Sequence, residues 1–574
     1  MSVKDLIVFL IYIAGNILVS FILSKKIKNS TDFFAAGRSS SWWLSGLSAF
    51  MTMFSAGTFV VWGGIAFRYG MVAVSISMCL GISAFLVGNG IAARWRKLGI
   101  TTAAEYINLR FGPAVLQFYT WFNIAFRLLN LGVALYSVSV ILDALLPGGL
   151  RHFLGSVTFT STAVVAIIVF CGAVIITYAI TGGLWSVIIT NVLQFLVLMV
   201  AVSVVVPLGF MKLGGIVEFV NKAPEGFFSP VTSEFTWIFL AGWVVIHYLK
   251  IGGEWAFIQQ NIAVPTPQDA KKASFLFGVM YLISPVLWML PPMMYRIVDP
   301  SANYEQAYIL ACQYALPSGL IGLMAAAMFS ATASSIEAEL NVFAGVLTRD
   351  IYRKRYPASS EARQILVGRF MTFTIGLLVM GIAILVPRMG GADEIILAAT
   401  ALISGPMIMP VIWGVYSKKI TGKSIFTVIL ISAVVSVILK FGYFIQNGWF
   451  VSGNPSSFLL WVQANSRTIE TLTGLLVPFS ILLTIELTKK AESPRYISSN
   501  EMSESPELTN LKASLFPPKI VGWSLIAIAL LFFVLAITER ADRGILLGYG
   551  IGLTSAGVFI LLRINKIEKR LKLI

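Results

Sequence analysis

The sequence predicts an all-α polytopic membrane protein, and three observations carry that prediction. Over 574 residues the chain is 57% hydrophobic and only 12% charged. Its mean hydropathy of +0.85 is far outside the range of soluble domains. About fifteen apolar segments each supply the roughly 20 residues that a helix needs to cross a bilayer.

In order, those segments run over 5–24, 41–67, 70–93, 114–147, 160–181, 183–210, 235–260, 271–295, 317–347, 363–387, 395–416, 424–446, 469–488, 519–538 and 543–563. The first is a membrane helix and not a cleaved leader, because its basic residues follow the apolar stretch and no small-residue cleavage site is evident. The one long polar stretch, AESPRYISSNEMSESPELTNLKAS at about 491–514, is a cytosolic connector ahead of the last two spans. The expected organisation is a leading helix and loop (1–40), a transport core (41–416), two trailing helices (417–490), a linker (491–518), and two further helices with a basic tail (519–574).

The net charge of +16 raises a nucleic-acid reading, which the positions of the basic residues exclude. Lys25, Lys26, Lys28 and Arg38 follow the first span, and Arg94, Arg96 and Lys97 follow the third. Lys271 and Lys272, then Arg349, Arg353, Lys354 and Arg355, then Lys418, Lys419 and Lys423 follow later odd spans, and the tail adds Arg563, Lys566, Lys569, Arg570 and Lys572. Such alternation marks cytoplasmic loops, so the expectation is a multi-pass protein of the plasma (inner) membrane with its N-terminus outside and its C-terminus in the cytoplasm. The expected partners are the lipid bilayer and a small-molecule solute, with no nucleic acid and no obligatory protein partner evident.

Catalytic and metal-cluster signatures are missing. Cys79, Cys171 and Cys312 are too scattered for a disulfide framework, and His152 and His247 are too few for a zinc site. TGKS at Thr421–Ser424 ends like a phosphate-binding loop, but Ser417 stands where its leading glycine belongs. No covalent chemistry is expected, and the chain reads as a non-enzyme.

Two spans are interrupted at mid-membrane depth. The second contains FSAGT (Phe54 to Thr58) and the seventh contains HYLKIGGE (His247 to Glu254). They lie five spans apart, and an odd offset inverts one repeat relative to the other, so 41–210 and 235–416 form two candidate inverted halves. Broken helices in corresponding positions point to a transport site, since only unwound backbone offers carbonyls to an ion. Ordinary glycine kinks are the competing account. In the ninth span, FSATASSIEAELN puts hydroxyls and carboxylates into an otherwise apolar helix.

Five stretches carry a resemblance to the solute:sodium symporter family, which includes sodium/glucose, sodium/proline and sodium/sialic acid cotransporters. They are FFAAGRSSSWWLSGLSAFMTMFSAGTF, RKLGITTAAEYINLRFG, ITGGLWSVIITNVLQF, QQNIAVPTPQDAKKA and FSATASSIEAELNVFAGVLTRDIYRK, in family order over roughly 30–420. The resemblance implies one leading helix, a five-plus-five inverted-repeat core and about four trailing helices. It also implies a sodium-driven transporter of a small polar organic solute: a sugar, sugar acid, carboxylate or amino acid. By the same carry-over, sodium is held by the carbonyls of Met51, Phe54 and Ala331 and the hydroxyls of Ser334 and Ser335. Sodium is a hard cation that takes several oxygen ligands, and Ala331, Ser334 and Ser335 share one helical face. Alternatively, the serines only bond back to their own helix. An ion-independent facilitator or a transporter-like membrane sensor is the rival function; a fused kinase is not expected beyond so short a basic tail.

The chain departs from the family at two places. Many sodium-driven relatives carry an aspartate in the sixth span, where Asn191 stands here, and small hydroxyls where Glu337 and Ala338 stand. Asn191 and Glu337 are therefore a candidate second cation or proton site, against a purely structural Glu337. The resemblance places the solute between the two broken helices. Candidates are Met53, Ser55 and Thr58 from the first break and Lys250, Glu254, Trp255 and Phe257 from the second, with Arg127 from span four. Arg127 suits a substrate carboxylate, or it pairs with Glu254 or reaches an interface; Lys250 and Glu254 stand at i, i+4 and can neutralise each other.

Overall fold

The computed structural model describes residues 2–24, 40–100, 102–145, 162–179, 184–352, 355–389, 391–444, 461, 465–496, 516–538 and 542–572. Each predicted span is matched by one helix or by a pair of half-helices. The first is α1 (Val3–Ser24), and the second is split into α2 (Trp42–Thr52) and α3 (Gly63–Tyr69), with a π-helical segment Thr58–Trp62 between them. There follow α4 (Val72–Gly90), two short connectors α5 (Ala92–Lys97) and α6 (Ala103–Phe111), then α7 (Pro113–Leu145), α8 (Thr162–Ala179), α9 (Leu184–Leu213) and the connector α10 (Ile216–Lys222). The seventh span is split into α11 (Trp237–Gly253) and α12 (Trp255–Ile262). After it come α13 (Pro267–Val298), the short α14 (Ala307–Ala315), α15 (Leu320–Val346), α16 (Glu361–Leu385), α17 (Ala392–Tyr416), α18 (Gly422–Phe444), α19 (Ser466–Thr488), α20 (Phe516–Thr538) and α21 (Arg543–Lys572). Among the described residues, 9 helices are long and apolar enough to cross a membrane, and four shorter apolar helices stand beside them.

Local chemistry sets the helix starts. Thr102, Thr236 and Thr266 sit at N-caps and accept from the amides of Glu105, Phe239 and Asp269 at 3.1, 3.2 and 3.1 Å. Pro267 then occupies the first turn of α13, where its missing N–H costs nothing. The start of α15 is capped from a distance: the Asp5 carboxylate of α1 accepts from the amides of Gly319 at 2.5 Å and Gly322 at 3.1 Å. A carboxylate there satisfies orphan amides and faces the positive end of the helix dipole, which fixes the leading helix against α15.

In the core, α13 lies along α4 and α2, α11 packs on α4 and α17, and α15 packs on α1, α9, α16 and α7. Without a strong hydrophobic drive between helices in lipid, small residues permit the closest approaches. A Cβ at Gly405 of α17 would stand 1.7 Å from the Gly474 carbonyl of α19, so those backbones touch directly.

The second interruption is narrower than HYLKIGGE suggests. α11 stays helical through Gly253, and only Glu254, at φ −75° and ψ 140°, leaves the helix. The glycines instead allow contact: a Cβ at Gly253 would meet Ile408 Cγ2 of α17 at 2.3 Å. α21 extends beyond the predicted span into the basic tail. The Lys440 side chain lies outside the described residues.

Candidate functional site

The break in the second span is built by hydroxyls that compete with the helical ladder. Ser55 Oγ accepts from the Gly57 amide at 3.2 Å, while Thr58 Oγ1 donates to the Met53 carbonyl at 3.2 Å and accepts from the Ser55 amide at 3.3 Å. Phe54 lies in this unwound stretch, and Met51 lies in the last turn of α2 just ahead of it. The Met51 carbonyl accepts the Phe54 amide at 2.9 Å, and the Phe54 carbonyl accepts no hydrogen bond among the described residues.

A side chain absent from the sequence prediction joins this break to α15. The Ala56 amide donates to Thr332 Oγ1 at 2.8 Å, and that hydroxyl donates to the Met328 carbonyl at 2.9 Å. Thr332 is fully buried. It neighbours Ala331, whose carbonyl accepts from Ser335 Oγ at 2.9 Å. Ser335 thus bonds back to its own helix, yet its oxygen lone pairs stay available as donors to a cation. The Ser334 side chain lies outside the described residues. The Ala56–Thr332 bond joins the break to α15 one residue from Ala331, and backbone carbonyls and hydroxyls of this kind suit a hard monovalent cation.

The predicted solute residues divide. Ser55 and Thr58 are engaged in shaping the break, as above, and Met53 is half-buried beside them. Phe257 is 3% exposed, with its ring 6.0 Å from Phe277 of α13, so it belongs to an aromatic column that includes Phe54, whose ring lies tilted 4.7 Å from Trp288. Trp255 is half-buried.

Of the two pairings expected for Glu254, at the second break, the structure forms the one with Arg127 of α7 and not the i, i+4 pair with Lys250. Arg127 also holds Glu339 of α15 at 2.8 Å. The planar guanidinium has enough donors for both carboxylates, whereas Lys250 makes no ion pair among the described residues. One arginine thus ties α7, α15 and the second break together.

Glu337 is 2% exposed and makes no hydrogen bond or ion pair among the described residues. Its neighbour helix is α9, where Gln194 Nε2 donates to Ser330 Oγ at 3.1 Å while Gln194 Oε1 is buried with no partner. Lys212 near the other end of α9 reaches the Tyr314 carbonyl ahead of α15, so the two helices run antiparallel. Counted from the Gln194–Ser330 contact, the backbone of Asn191 falls near the level of Ala333, about one turn from Glu337. The Asn191 side chain lies outside the described residues.

At the opposite end of the bundle Arg68 of α3 pairs with Asp393 of α17 and stacks 4.2 Å over the Tyr304 ring. Beside it Glu305 accepts from Tyr136 Oη at 2.6 Å and from the Ala392 amide at 3.3 Å. Burial holds the Glu305 carboxyl above its ordinary value despite those donors.

Comparison with known proteins places this architecture. The family model for the sodium:solute symporter family matches residues 33–253 and 271–431. A sodium/glucose cotransporter of Vibrio parahaemolyticus is 27% identical over 486 residues, covering 77% of this chain and 86% of that protein. A sodium/sialic acid symporter of Proteus mirabilis is 26% identical over 453 residues, covering 75% and 88%. A solved structure of a Na+-coupled sialic acid symporter superposes with a TM-score of 0.61 at 21% identity, covering 83% of this chain and 98% of that one, which establishes a shared fold. Because the family model spans well over half of the sequence, with the first broken helix and α15 inside it, this chain belongs to the sodium:solute symporter family and couples sodium to solute transport across a membrane.

Proposed function

We propose that the protein imports a small polar organic solute, with sugars and sugar acids as the first class to test, by alternating access on the inward sodium gradient. The observation that carries this reading is the Ala56–Thr332 bridge, which joins the first break to α15 next to Ala331 and supports a shared ion site there. Sodium, as co-transported cargo, is held by the carbonyls of Met51, Phe54 and Ala331 with the hydroxyls of Ser334 and Ser335. Its charge favours the closed approach of the break to α15, and by linkage the solute tightens sodium by the same factor that sodium tightens the solute.

The solute site lies between the two breaks, around Met53, Ser55, Thr58, Lys250, Glu254 and Trp255, with Phe257 backing it. Arg127 already serves two carboxylates, which argues against its taking a substrate carboxylate, and Lys250 is the remaining cation. Glucose and sialic acid in the relatives' names are both polyhydroxylated, which favours a hydrogen-bonding cavity of this mixed polar and aromatic kind. Asn191 and Glu337 form the second cation or proton site. The halves 41–210 and 235–416 are the inverted repeats, with the N-terminus outside and the C-terminus in the cytoplasm. On that orientation Arg68–Asp393 is an outer clasp and Arg127–Glu254–Glu339 an inner one, and each opens in turn.

Reconstitution tests this. Proteoliposomes with an inward sodium gradient accumulate a sugar or sugar acid above its external concentration, and Ser335→Ala raises the half-saturating sodium concentration about tenfold, as loss of one charge-facing oxygen predicts. Equal uptake with sodium or potassium, without accumulation, replaces the symporter with a facilitator.

A further inference from the structure

A cavity of about 490 Å³ lies between α11, α17 and α19, away from both breaks' polar groups. Val245, Leu249, Ile412 and Phe479 form apolar walls, and Trp413 and Tyr416 stand at one end. Val245 is 45% exposed and Phe479 43%, on the apolar half-helix α11 and the span-length helix α19, so the opening faces acyl chains and not water. The polar floor is satisfied internally: Glu486 accepts from Trp413 Nε1 at 3.2 Å and Ser417 Oγ at 2.5 Å.

The rim at that end is basic. The Arg94 guanidinium lies 4.1 Å over the Tyr416 ring and makes no hydrogen bond or ion pair among the described residues. Lys418, with a side chain 56% exposed, is paired only loosely, with the exposed Glu492 at 3.6 Å and the Tyr496 ring at 5.8 Å. Lys419 and Lys489 add two more cations, their ammonium groups donating to the carbonyls of Glu486 and Lys419 at 2.6 and 3.1 Å. Four cations against Glu486 and Glu492 leave a surplus of two positive charges. An apolar slot open to lipid beneath a basic rim is complementary to an anionic amphiphile, because basic pockets between membrane helices select acidic headgroups.

We propose that this cavity binds an anionic phospholipid, with an acyl chain against Leu249, Ile412 and Phe479 and the headgroup phosphate against Arg94 and Lys418. The position gives the lipid a role. Leu249 stands just ahead of the break at Glu254, so the acyl chain braces the first half of the second broken helix against α17 and α19. The site does not depend on which solute or how many cations are carried.

The test uses the full-length protein, delipidated in detergent, with thermal unfolding followed during titration of phosphatidylglycerol or phosphatidylcholine with the same acyl chains. Phosphatidylglycerol raises the Tm saturably and more than phosphatidylcholine does. Arg94→Gln and Lys418→Gln each weaken its half-saturation about fivefold, as expected for removing one cation near a headgroup. Val245→Trp, at a half-exposed position, fills the slot and weakens both lipids. The exposed Lys418 keeps the test intact should Arg94→Gln impair folding. Equal stabilisation by the two lipids, full phosphatidylglycerol selectivity in Lys418→Gln, or the same shift from glycerol 3-phosphate alone overturns the proposal.

Discussion

The Ala56 amide and the Thr332 hydroxyl meet at 2.8 Å across a sequence separation of 276 residues, and this one bond fixes the first break against α15. Thr332→Val keeps the shape and removes the acceptor, leaving a buried amide unpaired at a cost of about 1–3 kcal/mol. The expected result is a lower Tm and a several-fold higher sodium concentration for half-maximal stabilisation. Thr332→Ser retains the hydroxyl and loses only a methyl group. A sodium titration of thermal unfolding on the three proteins checks this, and parental behaviour in Thr332→Val removes the bridge from the sodium argument.

Arg127 serves as the hub of a three-residue cluster, with Glu254 and Glu339 on either side. Arg127→Met leaves two carboxylates facing each other at partly buried positions, which costs about 3 kcal/mol or more by the behaviour of broken buried pairs. Adding Glu254→Gln and Glu339→Gln recovers much of that loss, because no uncompensated charge is left. If the triple variant is no more stable than Arg127→Met, the cluster is not held together by charge balance. Uptake separates stability from gating: a clasp that must open lets the stable triple variant transport with altered rate.

Much of this arrangement is legible in the sequence, for physical reasons that differ by element. Spans such as 395–416, found as Ala392–Tyr416, are fixed by the length of apolar chain a bilayer requires. The FSAGT break is legible because Ser55 and Thr58 act within five residues of one another. The HYLKIGGE break is overdrawn, since Gly252 and Gly253 look like unwinding but serve contact with Ile408 and Ile412, which composition cannot distinguish. Thr332 is missed because its partner lies in a distant span, although a threonine beside Ala331 in SATASS is a signal a fuller reading of that face would weigh. For Glu254 the sequence offers both Lys250 at i, i+4 and Arg127 as partners, and the choice of Arg127 rests on the approach of α7, which local spacing does not show.

Glu305 makes the stability of the Arg68–Asp393 end depend on pH. Its folded value lies above the ordinary 4.5 because burial outweighs the hydrogen bonds from Tyr136 and Ala392. The folded protein therefore holds the proton more tightly than the unfolded chain does. The resulting stability is full below the unfolded value and is lost as pH rises through the folded one. Glu305→Gln is expected to flatten that decline, so the gap in Tm between it and the parent widens in the variant's favour as pH rises from the acid side. A gap independent of pH over that window shows that Glu305 does not titrate there.

Glu337 gives the sharpest test of how the protein couples. It is buried on α15 with no partner among the described residues, and the facing helix α9 supplies Asn191, a neutral residue, near its level. A lone carboxylate inside a membrane protein is expensive unless a cation or a proton neutralises it, which is the ground for proposing a transported charge as its compensation. Glu337→Gln removes the need for that charge while nearly preserving shape. The expected outcome is uptake that remains sodium-dependent through the Ala331–Ser335 face, with a reduced sodium-to-solute ratio if a second sodium binds there, or a lost pH dependence if a proton does. Isotopic sodium and solute fluxes measured together across the neutral pH range distinguish the two. Identical ratios and pH profiles in parent and variant remove Glu337 from the coupling site and leave one sodium as the whole of the driving charge.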